Sequence, residues 1–371
     1  MLASPNSRFQ GAVSFSNCNF KVFPRGLASC LALESVGFRN NGMEEVPEDA
    51  FPPLLRYLVL TGNHITTLPF SIGRCDHLQE CRLTDNQLRG LPTEMANCKE
   101  LTLLRLSSNR LSALPSWLFT LPKLAFLSFT SNPCASPTTN GLHAPRGLAS
   151  IPWSDLEVQQ PLDAHTSQGL WRQSPHYAED VAIKLFRSSA GGVENDDDDG
   201  SAADEMAAYL AAAQLTVPAA LSMLTGLAHC LAHLHGRGMA HGSLDPRHVL
   251  ASAADQHALL TGFRAATVYG YGHGHGHGHG RGAERVEVLA FGRVVEYVLE
   301  AVAASGGGGD DDVDEEKRKE REVVEKGLGE LGGRCVAADV AARPGFAEVV
   351  EVLEGLMGWR GMMRIPDVEP R

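Results

Sequence analysis

Phosphoryl transfer asks a protein for a base, for carboxylate or amide oxygens that hold a metal, and for a cation that holds phosphate. Candidate residues lie in the second half of this chain. Lys184 closes the segment Val181-Ala182-Ile183-Lys184, and Glu205 follows within Asp204-Glu205-Met206. The two could form an ion pair that touches a phosphate; the plainer reading is an exposed pair worth well under ~1 kcal/mol. The segment MAHGSLDPRHVL, from Met239 to Leu250, brings His241, Ser243, Asp245 and His248 close together. Asp245 is its one carboxylate. Further on, histidines at 273, 275, 277 and 279 alternate with glycines. Such a tract can bind zinc or nickel weakly, but it reads first as a flexible low-complexity loop, so no metal site is predicted.

These residues need elements to position them. Glu179 to Phe186 reads as a strand. Leu221, Leu224, Leu227, Leu231 and Leu234 recur near helical spacing and predict an amphipathic helix ending before Arg237-Gly238. The surrounding chain can supply a core: 43% of its 371 residues are hydrophobic and 20% charged, which excludes wholesale disorder. Lys plus Arg number 32 against 44 Asp plus Glu, a net charge of -12, so no basic footprint for nucleic acid is present. The eight cysteines form no CxxC pair and read as reduced thiols of a cytoplasmic protein. Near the N-terminus no basic region precedes an apolar run, and His229 and His233 interrupt the most apolar stretch. Neither a secretory signal nor a membrane partner is expected.

The first third repeats. Asn63, Asn86, Asn109 and Asn132 stand 23 residues apart, and Leu60, Leu83, Leu106 and Phe129 keep the same step. So do Leu58, Cys81, Leu104 and Leu127, and then Pro69, Pro92 and Pro115. Two looser copies precede them, through Val36, Phe38 and Asn41, and through Val13, Phe15 and Cys18. Each copy would leave an apolar face open until the next one stacks on it.

The pattern LxxLxLxxNxLxxLP resembles the leucine-rich-repeat family over residues 10–135. That resemblance implies a curved solenoid: a short strand with two inward leucines, an asparagine bonding the turn, and an LP segment on the convex side. After a linker at 136–152, residues 153–358 resemble a protein kinase in the order of its signatures. These are the VAIK strand, the Glu205 helix, the HGSLDPRH loop, Thr261-Gly262-Phe263, Glu287 to Gly292, and Ala342-Arg343-Pro344-Gly345-Phe346. Residues 359–371 form a tail. The combination is similar to the leucine-rich-repeat protein kinases.

Residue by residue, the resemblance implies lost chemistry. The catalytic base position falls on Ser243, the metal-binding Asn on His248, and the principal metal-binding Asp on Gly262. The glycine-loop candidate, Leu162 to Trp171, carries Asp163, His165 and Gln168 where glycines belong. The stretch between Glu205 and Leu221 is too short for the family's hinge. Glu287 replaces an Asp that bonds the loop backbone, a task its longer carboxylate could partly perform.

The reading is α/β: a leucine-rich-repeat solenoid followed by a shortened protein-kinase-like α+β domain, a pseudokinase acting as an interaction scaffold or signalling adaptor. No cofactor is expected; ATP held by Lys184 and Glu205 is the lesser alternative. The rival function is an active ATP-dependent Ser/Thr kinase, and a decayed gene product is a third. The strand residues flanking the inward leucines offer a protein partner a strip with Tyr57, Arg82, Arg105 and Phe126 at its centre. The plainer reading of that strip is an ordinary solvated sheet face. The linker predicts that the two halves unfold separately.

Overall fold

The computed structural model describes residues 11–135, 156–161, 166–174, 177–184, 216–252, 257–260, 262–269, 277–305 and 315–362. Its architecture is mixed α/β. Six short parallel strands form one sheet in chain order: β1 (Ala12–Ser14), β2 (Ser35–Gly37), β3 (Tyr57–Val59), β4 (Glu80–Arg82), β5 (Leu103–Arg105) and β6 (Phe126–Ser128). The register follows the sequence step, Leu58 opposite Cys81 and Cys81 opposite Leu104. Period-two alternation sends Leu58, Leu60, Leu83, Leu104 and Leu106 into the core, all fully buried. Each buried leucine contributes roughly 1.5–3 kcal/mol.

Prolines start the 3-10 turns on the other side of this core. Pro24, Pro69, Pro92 and Pro115 precede the turns Arg25–Ser29, Phe70–Arg74, Thr93–Asn97 and Ser116–Thr120 with φ between -62° and -70°, the value their rings impose. Ile72, Met95 and Leu118 face inward from three of these turns.

The repeated asparagines do more than close their own turns. Asn86 Oδ1 accepts from Ile65 N at 3.1 Å, while its Nδ2 donates to Leu60 O at 2.9 Å and to Leu83 O at 3.1 Å. Asn109 repeats the arrangement with Leu88 N, Leu83 O and Leu106 O. Each side chain therefore bridges two consecutive steps. Buried backbone groups that a short strand leaves unpaired find their partners here.

The C-terminal half is mainly helical. Helix α1 (Val217–Gly236) opens with the Thr216 hydroxyl accepting from Ala219 N, has Pro218 in its first turn and buries Leu221, Leu224, Leu227 and Leu231. It is long and apolar enough to cross a membrane, and more than half of it is buried within the protein. It packs on α4 (Phe346–Met362), and α2 (His277–Ser305) packs on α3 (Glu315–Cys335). Two antiparallel pairs complete this half: β10 (Met239–Ala240) with β13 (Thr267–Val268), and β11 (Val249–Ser252) with β12 (His257–Leu260). Here α2 departs from the loop expected of the Gly-His tract, because His277 and His279 belong to its first turn. Gly282 in the same helix meets Phe119 so closely that a Cβ would fall against the ring.

Contacts divide the chain into two compact units, Met1–Thr139 with Ser201–Arg371, and Asn140–Gly200. This division does not follow the expected boundary at 136–152. The parallel sheet and the C-terminal helices share packing: Ala125 belongs to the core of the helices, and Val286 to the core beneath the sheet. In the smaller unit, β7 (Leu156–Pro161), β8 (Thr166–Ser174) and β9 (Tyr177–Lys184) form an antiparallel sheet in that order. Gln168 and Gly169, expected in a glycine loop, lie instead in β8, opposite Ala182 and Val181.

Candidate functional site

The loop His241–Leu244 is fully enclosed. Beneath it lies Glu287, from α2, at 3% exposure. Its Oε1 accepts from Gly242 N at 2.7 Å, and its Oε2 from His241 N at 3.1 Å and from His235 Nε2 at 2.7 Å. Burial pushes this carboxyl up. The His235 hydrogen bond and charge, His241, and the Gly242 N–H outweigh that and hold it below the ordinary carboxylate range. His235 continues the chain of contacts: its Nδ1 meets the Tyr269 hydroxyl at 2.7 Å, and its ring stacks on Phe346.

On the other side of the loop stands the parallel sheet. Arg105, at the end of β5, donates from Nη1 to Gly242 O at 3.0 Å and from Nη2 to Ser243 Oγ at 2.9 Å. Gly242 has φ +73°, and a Cβ there would come within 2.7 Å of Leu127 O. Phe129 N donates to the buried Thr267 hydroxyl, and Arg343 to Pro122 O. The loop backbone is thus clamped between a carboxylate and a guanidinium.

Gly262 shows why it has no side chain. Its φ is +77°, in the left-handed region, and a Cβ would fall inside the imidazole of His248. That ring is pinned by Nδ1 against Ser243 O at 2.6 Å. The space an acidic side chain at 262 would enter is therefore filled by a residue from the same loop. Among the described residues, no group of three or more His, Cys, Asp or Glu is arranged to hold a metal.

The other predicted site residues are scattered. Lys184 ends β9, paired in register with Thr166; Glu205 lies outside the described residues. Tyr57 donates its hydroxyl to Gln79 at 3.0 Å, and Arg82 pairs with Glu80 at 3.2 Å on the same strand. Arg105 and Phe126, by contrast, serve inside the chain: the first on the loop, the second against the helical core. The strip is therefore not open along its whole length, because its last two rungs already carry the chain's own C-terminal half. Nothing in the sequence singles out His235 or Tyr269: the first lies where the helical pattern ends before Arg237-Gly238, and the second precedes the Gly-His tract.

Compared with known families and curated proteins, the chain matches no family model and no curated protein.

Proposed function

We propose that this chain is a leucine-rich-repeat pseudokinase that works by contact, as a protein-interaction scaffold or signalling adaptor. The 23-residue ladder of leucines and bridging asparagines supports the solenoid part of the reading. The antiparallel strands ending in Val181-Ala182-Ile183-Lys184 and the Glu287 carboxylate under the His241–Gly242 backbone support the kinase-like part.

One observation carries the loss of catalysis. His248 and Gly262 are mutually adjusted, ring into vacancy, at the two positions where the family would place its metal ligands. The base position, Ser243, is taken up by Arg105. A hydroxyl bound by a guanidinium offers no carboxylate to an acceptor alcohol. With that chemistry gone, the remaining role is protein contact, for which the sheet face around Tyr57 and Arg82 is the candidate surface.

The test is phosphorylation by purified full-length protein with labelled ATP and Mg²⁺ or Mn²⁺. No incorporation is expected. Incorporation that disappears in Lys184→Ala would establish the rival reading, an active kinase.

A further inference from the structure

A cleft of about 460 Å³ opens where the outer loops of the parallel sheet meet α2 and α3. Glu100, Pro122, Lys123, Arg293, Glu296 and Val336 line it. Lys123 and Glu100 pair with each other at 2.6 Å. Arg293 is different. It is only partly exposed, and none of its guanidinium N–H groups donates a hydrogen bond to a described residue; no carboxylate among them comes within 4.0 Å. Burial lowers its pKa, with Glu296 opposing more weakly. Behind the cleft lies a second guanidinium, Arg343, which spends its donors on the carbonyls of Ala337, Arg285 and Pro122. Its pKa is pushed down to about 10, first by burial and then by Arg293.

Two neighbouring guanidiniums, one of them lining a partly desolvated cleft with its donors directed to no described residue, make that cleft locally favourable to a carboxylate. Planar fork geometry favours a carboxylate taken by two N–H groups. The two glutamates on the rim select against a phosphate dianion, and they suit a ligand that brings N–H donors with its carboxylate. Pro122 and Val336 add apolar wall. A stretch of polypeptide with acidic and apolar side chains meets all of these demands together.

We propose that this cleft docks an extended acidic segment of a partner protein, with one carboxylate on Arg293 and adjacent backbone N–H groups facing Glu100 and Glu296. The proposal rests on the scaffold reading for the kind of partner, but it uses a different surface from the Tyr57–Arg82 strip.

The experiment titrates full-length protein carrying isotope-labelled arginine with the blocked peptide acetyl-Leu-Glu-Asp-Leu-amide, followed by nuclear magnetic resonance. The Arg293 side-chain signal, assigned from its loss in Arg293→Gln, should shift saturably. Polarisation of a fluorescent version should show roughly tenfold or greater weakening in Arg293→Gln and little change in Arg82→Glu. Arg293→Lys, which keeps the charge without the fork, should fall between. Three results would overturn the proposal: equal binding of the amide peptide acetyl-Leu-Gln-Asn-Leu-amide, tighter binding of inorganic phosphate, or no saturable shift up to about 10 mM peptide. Binding lost in Arg82→Glu and kept in Arg293→Gln would move the site to the strip. The labelled-ATP assay decides the pseudokinase reading separately.

Discussion

The guanidinium of Arg105 donates to the hydroxyl of Ser243 at 2.9 Å, across 138 residues of sequence. Its other arm holds Gly242 O, so one side chain of the sheet fixes the backbone of a loop in the helical half. Arg105→Glu would set a carboxylate against that carbonyl. A loss on the order of 2–4 kcal/mol is expected, because a buried acceptor loses a charged donor. Urea unfolding followed by circular dichroism reads it directly; a change below about 0.5 kcal/mol would mean that the contact is incidental.

The same contact revises how the chain should melt. With Ala125 in one core and Val286 in the other, residues 11–135 and 216–362 should unfold in a single calorimetric transition. Two resolved transitions, one for each half, would restore the separate halves expected from the linker.

His248 and Gly262 make a coupled pair. Gly262→Asp alone should destabilise strongly, since its side chain meets the imidazole and sits at φ +77°. Combined with His248→Asn it should cost less than the sum of the two single changes, by about 1 kcal/mol or more. Strict additivity in that double-mutant cycle would show that the ring is not the obstacle. On the proposed reading, neither variant should incorporate label from ATP while Ser243 remains.

Asn86→Ala removes one acceptor and one amide group from four backbone partners at once. A cost of about 3 kcal/mol is expected from the buried groups left unpaired. Asn63→Ala, whose amide bridges Phe38 O and Leu60 O in the same way, should cost a similar amount. An asparagine that served only its own turn would cost about 1 kcal/mol, so thermal unfolding separates the two cases.

Glu287 sets an acid limit. Its carboxyl is held below the ordinary value of 4.5 in the folded protein. The unfolded chain therefore binds the proton first as pH falls. The stabilisation is complete above about pH 5 and is lost as pH drops through the folded value. Glu287→Gln should flatten the acid side of the stability curve and lower stability at neutral pH by on the order of 3 kcal/mol. An unchanged acid slope would assign the limit to another carboxylate.

Much of the sheet half was legible because its physics is periodic. Four asparagines and three apolar columns at one step fix the strand positions, and period-two alternation fixes which side chains are buried. Glu287 was legible only through resemblance, as a carboxylate displaced by one methylene from a recognised role. The Arg105–Ser243 contact was not legible. No local pattern records a pairing across 138 residues, and an arginine on an exposed-looking column reads as a site for a foreign partner. Gly262 was read as a loss, whereas His248 filling its place is a matter of shape that residue types do not announce. Helix α2 defied propensity. Glycines at 280 and 282 weaken a helix on its own, but packing against Phe119 decides the matter there.

That close approach at Gly282 also constrains the coding of the Gly-His tract. A repeated dipeptide is prone to gain or lose units when its gene is copied. Units added before His277 leave Gly282 opposite Phe119, since everything downstream keeps its place. Because the units are alike, an extra Gly-His pair leaves the sequence from Arg281 onward unchanged wherever in the tract it arises. Repeat number can therefore drift without disturbing this contact, whereas any side chain placed at Gly282 itself would meet the Phe119 ring.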